Sequence, residues 1–202
     1  MRVTILFVLA ISPLSSLQAQ TRVHQETSKT MNSDGGGSSS SPLVIRIRDK
    51  CDPTTFNLNV GPGACVGDGN VTFQAFIAEL TEDKKVGAWR FNPDQTDAMP
   101  GQPTVIESRG GETHTFTKVK EFGGGVVLAL NALSDNPEPR YECADPKAVG
   151  PAPGVLAFAH GVSPIMAGEI VEGPHLLSKD QHEQKFQCCI HPWMRLIVTA
   201  KR

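Results

Sequence analysis

The chain lacks several features that would assign it quickly to a large functional class. It has no excess of basic residues: 19 Lys and Arg against 21 Asp and Glu in 202 residues leave a formal charge of −2. A nucleic-acid footprint needs a basic patch or stripe, so no nucleic acid is expected as a partner. Small molecules, ions and other proteins remain. There are no internal repeats, which excludes solenoid architectures. The N-terminal apolar run VTILFVLAI is too short to span a bilayer, which takes about 20 apolar residues. No cysteine lies near the end of that run, so lipid attachment there is excluded.

What is present begins with an export signal. Arg2 precedes the apolar run, Pro13 breaks it, and small residues lead to LQA. This is the layout of a secretory signal peptide over residues 1–19, cleaved after Ala19. Removing Arg2 changes the balance to 18 − 21 = −3. Residues 20–42, QTRVHQETSKTMNSDGGGSSSSP, are polar and Gly/Ser-rich, the composition of a flexible linker. The folded domain is therefore expected over 43–202. The expected location is periplasmic or extracellular, where paired cysteines oxidise. The cysteines are Cys51, Cys65, Cys143, Cys188 and Cys189, an odd number that leaves at least one outside intrachain disulfides.

Periodicity points to an all-β fold. LVIRIR alternates apolar and basic residues, as a half-buried strand does. AWRF, TVIES, THTFTKV, GEIVEG, EQKFQC and RLIVTA are short strand-like runs separated by turn residues, the spacing of a β-sandwich. One segment is helical: Phe73, Phe76, Ile77 and Leu80 recur at i, i+3, i+4 and i+7, which predicts a helix near 72–82 capped by Asn70 or Thr72. Asn70-Val71-Thr72 is also a glycosylation sequon, relevant only in a eukaryotic host. Residues 51–65 read as a Pro/Gly-containing loop, and 121–168 as a long excursion with weak strand pattern.

The chemistry concentrates in CCIHPWM. Cys188, His191 and Met194, spaced C-x2-H-x2-M, offer a thiolate, an imidazole and a thioether. Such soft donors suit copper, whereas magnesium and calcium take oxygen ligands. A trigonal His₂Cys set with a weak axial methionine is the blue-copper electron-transfer arrangement, so one histidine must come from elsewhere. The candidates are His24, His114, His160, His175 and His182. His24 sits in the linker, and His160, His175 and His182 have no soft partner near them in sequence. Met99 and Met166 read as loop or gap-filling residues.

FNP, then GGETHTF, and finally FQCCIHPWM together resemble the cupredoxins, the plastocyanin/azurin group of small blue copper proteins, with an amicyanin-like ligand loop. The resemblance covers roughly residues 86–117 and 183–202. It implies a Greek-key β-sandwich with one short helix and a long loop insertion. It also implies the ligand set His114, Cys188, His191 and Met194 around one copper ion.

Consecutive strand residues face opposite ways, so with Cys188 turned to the core beside Phe186, Cys189 points away. The remaining four cysteines allow three pairings; Cys51–Cys65 and Cys143–Cys189 are expected. A binuclear centre needs both thiolates directed into one loop, and adjacent cysteines do not supply that. Trp193 reads as packing beside the site; the functional alternative makes Pro192 and Trp193 an apolar docking rim near His191.

The expected function is a single-electron carrier working between redox proteins, with no substrate and no enzymatic activity. A multicopper oxidase or nitrite reductase would need further histidine-rich motifs, and none appears. The alternative is copper buffering or delivery without redox turnover. A third class is a structural sandwich holding zinc, which leaves the methionine unexplained.

Overall fold

The computed structural model describes residues 41–201. The expected signal peptide (1–19) and nearly all of the linker (20–42) lie outside the described residues. In chain order the elements are β1 (Leu43–Arg48), α1 (Pro53–Asn59), α2 (Phe73–Asp83), β2 (Arg90–Asn92), β3 (Gln95–Ala98), β4 (Thr104–Ser108), β5 (His114–Thr115), β6 (Thr117–Val119), α3 (Leu128–Leu133), β7 (Ala144–Asp145), β8 (Ala157–Phe158), β9 (Pro164–Ile165), β10 (Ile170–Gly173), β11 (Glu183–Gln187) and β12 (Arg195–Ala200). Among the described residues, no helix is long and apolar enough to cross a membrane.

Two four-stranded sheets form an all-β sandwich, one in the order β10-β4-β1-β2 and the other β3-β12-β11-β6. The alternation of LVIRIR becomes structure in β1: Ile45 and Ile47 are fully buried, while Arg46 and Arg48 face outward. β1 runs parallel to β4 and antiparallel to β2. In the second sheet β11 and β12 pair antiparallel, with Phe186 opposite Leu196. Both sheets contribute to one core, with Ile45, Ile47, Phe91 and Ile106 from the first and Phe186, Leu196 and Val198 from the second. Fully burying side chains of this size contributes roughly 1.5–3 kcal/mol each.

The predicted helix is α2, and its cap is Thr72, whose Oγ1 accepts from the Ala75 N–H at 3.2 Å. Its buried stripe is Phe76 and Leu80. Two further helices were not anticipated. α1 occupies the segment read as loop; Asp52 caps it through the Thr55 N–H at 2.9 Å, and Pro53 opens its first turn. Seven residues are too few for periodicity to register. α3 lies in the excursion 121–168, which also carries β7, β8 and β9. β9 pairs antiparallel with β5, placing Ile165 opposite His114, so the excursion pairs with the strand that carries His114 in a separate two-stranded sheet.

The disulfides are Cys51–Cys65 and Cys143–Cys189. The first staples α1 to the loop after it. The second ties the excursion to the residue beside Cys188, which remains a free, buried thiol.

Candidate metal centre

Cys188 follows the last residue of β11, and His191 and Met194 lie on the turn that leads into β12. That turn is closed by its own backbone: Met194 N–H donates to His191 O at 2.9 Å and Cys188 N–H to Met194 O at 3.0 Å. C-x2-H-x2-M is therefore a compact loop closed by its own backbone. His114 arrives from β5, which pairs with β9 in a small two-stranded sheet of its own.

His114, Cys188 and His191 converge in the interior: their donor atoms all lie within 4.8 Å of one another, and all three residues are buried. Cys188 Sγ stands 3.9 Å from His114 Nδ1 and 3.8 Å from His191 Nδ1. A three-coordinate ion bonded at about 2.3 Å to sulfur and about 2.0 Å to nitrogen sets those donors about 3.7 Å apart. The observed spacing therefore fits a shared ion. The donor set, one sulfur and two imidazoles, suits zinc or copper rather than an oxygen-seeking cation. Met194 is fully buried on the same loop.

Electrostatics agree with that reading. Burial alone would raise the Cys188 thiol, but its hydrogen bonds to His114 and His191 hold it well below the usual cysteine value. Burial would likewise lower His114, yet the contacts with Asp49 and Cys188 push it up to about 10. The protons gathered around the sulfur are the ones that a cation would displace, since metal ligands bind deprotonated. The sulfur also accepts from the Thr115 N–H at 3.4 Å.

Both imidazoles have a carboxylate behind them. Asp49 Oδ2 lies 2.8 Å from His114 Nε2, with both side chains inaccessible to solvent. Glu112 Oε2 lies 3.6 Å from His191 Nε2 and accepts from the Trp89 indole N–H. Burial raises the Glu112 carboxyl, opposed by the charges of His191 and His114. Burial also raises Asp49, but the His114 contact and the N–H groups of Gly111 and Glu112 bring it down to about 2. Sequence reasoning missed both carboxylates. Glu112 stood two residues before His114, in GGETH, and was open to notice. Asp49 is 65 residues away from His114 and carried no local signal.

The cysteine pair is divided. Cys188 belongs to the main core cluster, whereas Cys189 packs with Val119 and Cys143 in a small separate cluster. The Cys189 N–H donates to Thr115 Oγ1 at 2.7 Å, so Thr115 touches both cysteines from the strand that carries His114. His160, His175 and His182 are all exposed and far from this convergence in role, and His24 lies outside the described residues. Met99 and Met166 are 42% and 51% exposed.

Pro192 and Trp193, read as packing or alternatively as a docking rim, lie on the loop beside His191. Pro192 is buried and Trp193 is half-buried. Trp193 packs on Phe76 of α2, ring centroids 5.8 Å apart, and meets His191 edge-on at 5.5 Å. Helix α2 thus packs on Trp193, and His191 is only 3% exposed.

Fold and cluster together define a class: a β-sandwich with a buried histidine–cysteine–histidine convergence near the C-terminus, suited to a transition metal. The solved structures to which the chain is similar are cupredoxins. A purple cupredoxin from Nitrosopumilus maritimus shares 13% identity over 79% of this chain and 99% of its own, with a TM-score of 0.36. A reduced amicyanin variant shares 11% over 62% of this chain and 89% of its own, with a TM-score of 0.32. Oxidised plastocyanin from Dryopteris crassirhizoma shares 15% over 79% of this chain and 100% of its own, with a TM-score of 0.30. No protein-family model and no curated protein matches the chain.

Proposed function

We propose that the chain is an exported type-1 copper protein that carries single electrons between redox partners. The observation that carries this reading is the buried convergence of the Cys188 sulfur with the Nδ1 atoms of His114 and His191. Those three residues would hold the ion, and Met194 on the same loop is the proposed fourth, weaker donor. Thioether and thiolate together favour copper over zinc. Bound there, copper supplies a one-electron couple between its two common oxidation states.

The chain's own groups suit that task. Cys188 supplies a thiolate already favoured by its surroundings, and the Thr115 N–H bonds to its sulfur, a contact of the kind that tunes potential. Trp193, covered by Phe76, packs against His191, which is almost fully buried. A closed centre with His191 buried favours electron transfer over delivery, which calls for an exposed, labile site. Two disulfides support an oxidising compartment, periplasmic or extracellular. We assign residues 1–19 to the signal, 20–42 to the tether and 43–202 to the copper domain.

The test is redox cycling in the presence of a copper chelator. The protein loaded with one equivalent of copper is expected to be reduced and reoxidised repeatedly while retaining its metal. Release of copper to the chelator on each reduction would mark a delivery protein and overturn the carrier reading.

A further inference from the structure

Asp49 is built into the interior with three backbone N–H groups and an imidazole nitrogen on its two oxygens. Oδ1 accepts from the Gly111 N–H at 2.8 Å and from the Cys51 N–H at 3.3 Å. Oδ2 accepts from the Glu112 N–H at 3.1 Å and faces His114 Nε2 at 2.8 Å. Three of these donors are backbone groups that cannot reverse their polarity. They come from two segments, Cys51 of the Cys51–Cys65 disulfide and the Gly111-Glu112 stretch. A Cβ on Gly110 would run into this carboxylate, so the glycine is what lets the loop close over it.

The consequence falls on His114. A neutral imidazole carries one N–H and one lone pair, and its partner decides which nitrogen has which. A carboxylate held by three backbone N–H groups can only accept, so Nε2 must donate and the lone pair falls on Nδ1. Nδ1 is the atom that faces the Cys188 sulfur. We propose that Asp49 is the positioning residue of the centre: it fixes the tautomer and ring orientation of His114 for metal binding. Its negative charge, one imidazole away, also biases a bound copper toward the oxidised state.

The alternatives available at this position explain why a carboxylate is required. An amide has one accepting end. If that end faces His114, its NH₂ is set against the Gly111 and Cys51 N–H groups. If it is turned round, the NH₂ faces Nε2 and drives the proton to Nδ1, against the metal. Glu112 stands behind His191 at 3.6 Å, too far for a hydrogen bond, and is not held in this way.

The proposal rests on the metal-centre reading, but its first test does not need copper. Zn(II)-loaded, ¹⁵N-labelled wild-type protein is expected to show the His114 proton on Nε2, strongly downfield and slow to exchange, with Nδ1 bare. A proton on Nδ1, or a freely exchanging Nε2–H, would overturn the assignment. In Asp49→Ala, Zn(II) affinity measured by chelator competition is expected to fall about 10–100-fold. Unchanged affinity in a folded variant would overturn it; if the variant does not fold, the wild-type tautomer decides. With copper, Asp49→Asn is expected to lose preference for Cu(II) over Cu(I), and each tenfold loss is a rise of about 59 mV in potential. An unchanged or lowered potential would overturn the charge bias. If wild-type protein binds zinc with the expected tautomer yet forms no coloured copper centre, the function proposed above fails while the role of Asp49 stands.

Discussion

Gly110 and Gly111 stand where any side chain would collide. A Cβ on Gly110 meets the Asp49 carboxylate, and one on Gly111 meets the Cys51 sulfur and the backbone of Gly67. Gly110→Ala is expected to destabilise the fold by about 1–3 kcal/mol through overpacking, read as a lower denaturant midpoint. The same substitution should weaken metal binding, because it displaces the acceptor of His114. The glycine pair was visible in GGETHTF as a turn before a strand. Its partner was not. Asp49 is a single acidic residue after a strand, and only the parallel pairing of β1 with β4 brings its end beside the 110–112 loop. The proposed ligands announced themselves by softness and spacing, whereas the carboxylate proposed to orient one of them announced nothing.

At the scale of elements, α2 stabilises the site without touching its donors. Phe76 meets Trp89 at 4.8 Å and Trp193 at 5.8 Å, so the helix packs down onto the ligand loop. Phe76→Ala is expected to cost about 3–5 kcal/mol and to open Trp193 to water. Chemical denaturation reads the first effect, and a red shift of tryptophan emission with easier quenching reads the second. Thr72→Ala removes the cap and should cost about 1 kcal/mol, a smaller loss with no change in emission. The helix itself was legible from its i, i+3, i+4, i+7 pattern, and so were the long strands, because LVIRIR and RLIVTA alternate in the way their burial does. Where α2 packs was not legible. That depends on contacts between residues more than a hundred positions apart, such as Phe76 with Trp193. Short elements such as α1 and β3 escaped for a different reason: a few residues carry too little pattern to separate them from a turn.

At the scale of the molecule, the adjacent cysteines divide the structure between two tasks. Cys188 faces the main core and the imidazoles; Cys189 faces the excursion and is bonded to Cys143 across 46 residues of sequence. Closing a loop of that length is worth about 4 kcal/mol in the chain-entropy view. Cys143→Ser with Cys189→Ser is therefore expected to lower the melting temperature by many degrees while leaving the metal-binding donors in place. The excursion is anchored a second time by β5–β9 pairing and by Gln187, whose amide bonds both the N–H and the carbonyl of Gly123. Loss of the disulfide should thus loosen the molecule rather than unfold it.

The division of the cysteines is also where the whole reading is most directly tested. Purified protein loaded with Cu(II) is expected to show an intense visible thiolate-to-copper charge-transfer band. The band should vanish in Cys188→Ser and persist in Cys189→Ser. A colourless wild-type protein, or a band that survives Cys188→Ser in a folded variant, would contradict the proposed centre.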